Sequence, residues 1–156
     1  MQSYFPNYSV RYDGNRNLVL VPFLVVCLGM QVAVIEFAGN AAGIRDENSR
    51  EFDGQCGHKV IDFMPGQSGS IDKGGTLRLG AYPCAVKEGS VIERCYGKGL
   101  VRERHRHRCE FNNDYRQILG DKGLVLSGTS PDGRLVEAVE LGDRPFFVGG
   151  SVSPGV

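Results

Sequence analysis

Apolar residues fall into two rhythms over the first third of this chain. Leu18 to Val26 is a nearly unbroken apolar run, interrupted only by Pro22, and such runs mark strands covered on both faces. From Met30 the period changes, and Met30, Ala33, Val34, Phe37 and Ala41 recur on one face of a helix. A strand therefore runs into a helix through a tight turn at Cys27, and the helix ends near Ala42-Gly43. Arg45 to Gly57 is polar and predicts a loop, with a cap or turn at Asn48-Ser49. Lys59 to Phe63 alternates like a short strand. Met64 to Gly75, rich in Gly, Ser and Pro, predicts a long mobile connection.

Strand patterns dominate the remainder. Thr76 to Tyr82 sets Leu77, Leu79 and Ala81 against polar partners, and Ser90 to Tyr96 predicts one or two helical turns. Leu100 to Phe111 predicts one long, charged strand, and Asn112 to Leu119 a short helix capped by its Asn, with Gly120 and Gly123 ending it. Leu124 to Ser127 and Leu135 to Leu141 flank Ser130-Pro131-Asp132-Gly133, a hairpin turn signal. Gly142 to Pro145 turns again into Phe146-Phe147-Val148. Met1 to Asn17 has no clear period and reads as a lead-in with a turn at Asp13-Gly14; residues 18–156 form the domain proper. The pattern is α/β, with more strand than helix and no internal repeat.

Composition narrows the partners more than the fold. The chain has 156 residues, enough for one domain with a real core. Lys and Arg number 18, as do Asp and Glu, so no overall field favours nucleic acid or an anionic membrane surface. The 22 glycines announce many turns without a collagen period. The five cysteines, Cys27, Cys56, Cys84, Cys95 and Cys109, are scattered and contain no Cys-x-x-Cys pair, which predicts neither a disulfide framework nor a zinc site. A reducing cytoplasm is the simplest compartment. The apolar run is too short for a membrane span of about 20 residues, and Pro22 interrupts it as a signal-peptide core.

Two stretches carry candidate chemistry. A cysteine at a strand-to-helix turn lies beside the exposed N–H groups of a helix N-terminus, which favour a thiolate; the alternative for Cys27 is a buried structural cysteine. The run from Arg102 to Arg108 is the densest charge cluster. Alternation on a strand puts Arg104, Arg106 and Arg108 on one face and His105 and His107 on the other. A guanidinium row can hold a carboxylate or phosphate bidentately, or can simply be a solvated edge. The His-x-His spacing suggests a metal, but no third ligand stands in an obvious pattern. His58 reads as an exposed loop histidine.

Together these pieces resemble the glutamine amidotransferase region of CTP synthase. Pro22-Phe23-Leu24…Cys27-Leu28-Gly29-Met30-Gln31-Val32-Ala33-Val34-Ile35-Glu36-Phe37-Ala38 resembles the nucleophile segment of that family, and Asn48-Ser49-Arg50-Glu51-Phe52 the next block. Gly74 to Ala81, Glu103 to Asn113 and Ser127 to Glu137 continue in register, so the resemblance covers residues 22–148. It implies a three-layer class I glutaminase-like α/β fold, truncated here, with a central mostly parallel sheet. It also implies that Cys27 attacks the side-chain amide of L-glutamine, that the backbone of Leu28, Gly29, Met30 and Gln31 lines the substrate pocket with Gly29 allowing close approach, and that Glu51 meets the α-amino group while Arg108 holds the α-carboxylate. The ammonia passes to a separate synthetase domain, the partner, where ATP and Mg serve the conversion of UTP to CTP. The glutaminase portion itself needs no cofactor.

The departures from the family point to a disabled site. The family ends in a Val-x-x-Gln-Phe-His-Pro-Glu-Phe block whose His is the general base and whose Glu orients it; Ser153 and Gly155 stand in those places. Neither can take a proton near neutral pH. Val25 replaces a Gly two residues before the nucleophile and should crowd the turn. The Gly-rich loop that donates to the oxyanion has no counterpart before Cys27, and the synthetase domain has none at all. Hypothesis: one inserted base produced the tail. GTT-CAG-TTT-CAC-CCG-GAG-TTT encodes Val-Gln-Phe-His-Pro-Glu-Phe, and with a leading G it reads Gly-Ser-Val-Ser-Pro-Gly-Val, the sequence of Gly150 to Val156. Coding DNA with no frame restoring the family block would sink this idea. The expected function is the glutaminase portion of a CTP synthase, inactive here, or else a non-catalytic glutamine- or partner-binding remnant. With the sheet partly uncovered, the chain should be marginally stable.

Overall fold

A computed structural model describes residues 10–12, 18–20, 22–64, 78–142 and 146–152. The apolar run of the N-terminal third does not form one strand. Proline cannot donate to a ladder, and the run divides around Pro22 into β2 (Leu18–Leu20) and β3 (Phe23–Val26). β2 pairs antiparallel with β1 (Val10–Tyr12), so the expected lead-in contains a strand. β3 instead joins the main sheet. It is not covered on both faces either, since Leu24 is 65% exposed.

The main sheet has six strands in the order β3-β11-β10-β9-β6-β7. Its further members are β6 (Arg78–Val86), β7 (Leu100–His107), β9 (Leu124–Thr129), β10 (Val136–Leu141) and β11 (Phe147–Gly150). Only β3 and β11 run parallel; every other pairing in this sheet is antiparallel. The mostly parallel character expected of the central sheet is thus confined, among the described residues, to that pair. A second sheet of three strands, β4-β5-β8, is built from β4 (Glu47–Ser49), β5 (His58–Phe63) and β8 (Cys109–Phe111). β4 lies inside the segment read as a loop.

Helix α1 (Leu28–Asn40) fills the space between the two sheets. Met30, Ala33, Val34 and Phe37, the stripe seen in the sequence, are buried with Val60, Ile61, Phe111, Val139 and Phe147 in the larger core. Ala41 falls outside that stripe as an exposed C-cap. On the opposite face of the six-stranded sheet a smaller cluster joins Val91 and Ile92 of α2 (Val91–Tyr96) to Ala138 and Val148. The Ser90 side chain caps α2, and the Glu140 carboxylate accepts from the Val91 N–H at 3.0 Å, placing negative charge at the positive end of the helix. The Asn112 side chain accepts from the Asp114 N–H at the start of a 3₁₀ turn (Asn113–Tyr115) that leads into α3 (Arg116–Asp121). Residues 65–77 and the turn at Asp13-Gly14 lie outside the described residues. No described helix is long and apolar enough to cross a membrane.

The long strand expected from Leu100 to Phe111 breaks at Arg108. β7 ends at His107 in the six-stranded sheet, and β8 begins at Cys109 in the three-stranded one. The chain crosses from one sheet to the other at this single residue.

Candidate functional site: a cleft between the two sheets

The strand-to-helix turn is strained where the sequence places it. Cys27 has φ 56 and ψ −122, one of two described non-glycine residues with positive φ. Such a conformation costs about 1–3 kcal/mol and persists only where its surroundings enforce it. Here the Cys27 N–H donates to the Gly150 carbonyl at 2.9 Å, tying the turn to the end of β11. Its side chain does not cap the helix. Val25, expected to crowd the turn, faces Gly29 at the start of the helix. A Cβ on Gly29 would stand 3.0 Å from the Val25 Cβ, so the glycine on the helix accommodates the β-branched residue on the strand.

The thiol opens into a cleft of about 300 Å³ lined by Cys27, Leu28, Gln31, Glu51, Phe52, Arg106, His107 and Arg108. Five of the residues singled out from the sequence, Cys27, Leu28, Gln31, Glu51 and Arg108, therefore share one concavity. Gly29 and Met30 do not line it. Gly29 lies against Val25 and the Met30 side chain is 2% exposed in the core. Gln31 donates from Nε2 to the Cys109 carbonyl at 2.9 Å, anchoring the helix to β8. Ser153 and Gly155 lie outside the described residues.

Alternation holds along β7, where His105 and His107 are buried while Arg104 and Arg106 are exposed. The break at Arg108 then turns that side chain into the same cleft as His107. The His107 Nε2 lies 3.2 Å from the Cys27 Sγ. On the other side of the ring, His107 Nδ1 is 3.4 Å from Ser151 Oγ and 3.8 Å from Glu110 Oε1. Ser151 Oγ donates in turn to Glu110 Oε2 at 3.0 Å. Sequence reasoning missed Glu110 and Ser151 as partners of this histidine. The His-x-x-Glu spacing of residues 107 and 110 was visible, but on an unbroken strand those residues point to opposite faces.

Beneath the cleft lies a charged, buried cluster. The Arg78 guanidinium donates to both oxygens of Glu137 at 2.9 and 2.6 Å and stacks on the Tyr82 ring at 4.4 Å. It also lies 3.5 Å from Glu110 Oε1 and from His105 Nδ1. Burial is the largest single influence on Arg78 and opposes its charge, but the hydrogen bonds and charges of Glu137 and Glu110 together outweigh it and hold the group above its ordinary pKa. Burial, then the neighbouring Arg78 charge, pushes His105 down to about 3 and His107 in the same direction. Burial, then the Glu137 charge, pushes Glu110 up to about 7. Burial likewise raises the Cys84 and Cys109 thiols to about 11, which makes both structural.

His105, His107 and Glu110 have ligand atoms within 4.8 Å of one another. A cation there would meet Arg78, whose fixed positive charge already contacts His105 and Glu110. The cluster is better described as an internally neutralised network than as a metal centre. His58 is exposed as expected, but it opens β5 rather than lying in a loop, with Nδ1 3.0 Å from the Tyr115 hydroxyl.

Known proteins give the cleft a context. The family profile described as glutamine amidotransferase class-I matches residues 13–149. CTP synthase of Rubrobacter xylanophilus is 56% identical over 133 residues, 85% of this chain and 24% of that protein. CTP synthase of Caldanaerobacter subterraneus is 58% identical over 134 residues, 86% of this chain and 25% of that protein. The chain thus spans about a quarter of the length of these curated relatives. Among solved structures, the glutaminase domain of Trypanosoma brucei CTPS with bound acivicin matches with TM-score 0.79 and 36% identity, over 86% of this chain and 52% of that one.

Proposed function

The chain belongs to the glutamine amidotransferase class-I family, and from that premise we propose that its cleft binds L-glutamine as the glutaminase portion of a CTP synthase. Cys27 is the nucleophile toward the side-chain amide. Glu51 and Arg108 hold the charged α-amino and α-carboxylate ends, and Leu28 and Gln31 flank the chain between them. The observation that carries this reading is a strained, cleft-facing thiol in one concavity with an acidic and a basic residue, the complement of a zwitterion. In a complete CTP synthase the ammonia would pass to a synthetase domain holding ATP and Mg.

The usual proton route is altered. Ser153 and Gly155 occupy the sequence positions of the family base and its orienting acid, so steady ammonia release should fall several powers of ten below that of a CTP synthase retaining both. Binding and covalent capture do not need that base to the same degree. A glutamine-analogue chloroketone should label Cys27, identified by peptide mass spectrometry, and millimolar L-glutamine should protect it while D-glutamine should not. Labelling indifferent to L-glutamine would overturn the reading.

A further inference from the structure

We propose that His107 is the catalytic base of Cys27 in this chain, taking the thiol proton on Nε2 in place of the C-terminal histidine of the family. The inference rests on the glutamine-binding reading for its substrate but on this chain's own geometry for its chemistry.

The ring stands with Nε2 3.2 Å from Sγ, within the reach of a hydrogen bond to sulfur. Its orientation is fixed from behind. Nδ1 faces Ser151 Oγ at 3.4 Å, and Ser151 donates onward to Glu110 at 3.0 Å. A proton on Nδ1 directed at the serine oxygen leaves the Nε2 lone pair aimed at the thiol, the tautomer a base requires. The backbone holds the partners as well, since the Ser151 N–H donates to the Glu137 carbonyl at 2.6 Å and Cys27 is tied to Gly150. Burial and the Arg78 charge hold the imidazole below its ordinary pKa, which leaves the Nε2 lone pair free at neutral pH and disfavours the imidazolium formed in the step, so the ring passes its proton on to the leaving ammonia.

In the step, the Sγ–H proton moves to Nε2 and the thiolate attacks the amide carbon of glutamine. A C–S bond forms and the C–N bond breaks. Ammonia leaves with the proton returned from His107. Water then attacks the thioester, giving its proton to Nε2, and glutamate departs as the C–S bond breaks and the proton returns to sulfur. The charged and titratable groups facing His107 are Cys27 from the turn, Arg78 from β6, His105 from β7 and Glu110 from β8, with the neutral Ser151 hydroxyl after β11 between His107 and Glu110 and with Glu137 of β10 acting through Arg78.

The test is site-resolved alkylation by iodoacetamide across pH 5–10, a reaction that needs the thiolate but not the glutamine pocket. The unaltered chain should react at Cys27 at least about tenfold faster than His107→Gln at pH 7, and the two should converge by pH 10, where hydroxide removes the proton unaided. The exposed Cys95 serves as an internal reference and should be identical in both. His107→Asn replaces His107→Gln should near-ultraviolet dichroism show the latter unfolded. Coincident Cys27 profiles, or a loss of the same size at every pH, would overturn the proposal. Protection of Cys27 by L-glutamine is measured in the same samples. Its absence alongside divergent profiles refutes the glutamine reading and leaves the base standing, whereas protection with coincident profiles does the reverse.

Discussion

The core around α1 and the cluster beneath the cleft are buried to the same extent and held by different physics. Phe147 and Ile61 are each 1% exposed, and Glu137 and Glu110 are 2% and 3%. The apolar core needs only volume and pattern, because its attraction has no direction. The cluster must satisfy each charge at a specific distance, and Arg78 does so for two carboxylates at once. Buried ion pairs seldom add stability over well-packed apolar side chains. What the cluster provides is orientation, since every group in it lies within two contacts of the His107 ring.

Arg78→Met should produce the largest effect, because it strands two buried carboxylates. A loss of about 3–5 kcal/mol of unfolding free energy is expected by denaturant titration, with Arg78→Met/Glu137→Met less destabilised than the single change. A double variant no better than the single would mean that the cluster is packing, like the core.

Glu110→Gln should reveal itself through pH. The folded protein raises this carboxyl to about 7 from an ordinary 4.5, so between those values it binds more protons folded than unfolded and costs stability as pH rises. The cost is absent below pH ~4.5 and complete above ~7, on the order of 3 kcal/mol. Relative to the unaltered chain, Glu110→Gln should therefore gain stability from pH 4.5 to 7. His105 and His107, both lowered, work in the opposite sense and lose stability as pH falls below about 6.5. Parallel stability curves would remove Glu110 from the cluster.

Gly29→Ala should have the smallest effect, about 1–2 kcal/mol from overpacking against Val25. In a Val25→Ala background most of that should vanish. A cost that survives would place the constraint in the backbone of the turn rather than in the valine.

What could be read from the sequence follows the same division. The α1 stripe, β5, the Ser90-capped helix and the hairpin around Asp132-Gly133 were legible because local periodicity and turn chemistry determine them. The turn cysteine and the arginine row were visible as candidates from pattern alone, but their joint role with Glu51 was legible only through resemblance, because the three are far apart in the chain. The split at Pro22 needed more weight on the missing proline donor. The break at Arg108 had no local signal, because nothing in a charged alternating run says that its two halves belong to different sheets. Glu110 and Ser151 stayed hidden behind that break.

Because the chain changes sheets at Arg108, the cleft is a seam with two banks. Cys27 rides on β3 at the edge of the six-stranded sheet, while Glu51 follows β4 in the other. A small molecule gripped at one end by each bank would act as a rivet, and its arrival should slow amide hydrogen exchange in β4 and β8 as well as beside the thiol. The floor of this pocket would then respond to its occupant as a single mechanical piece.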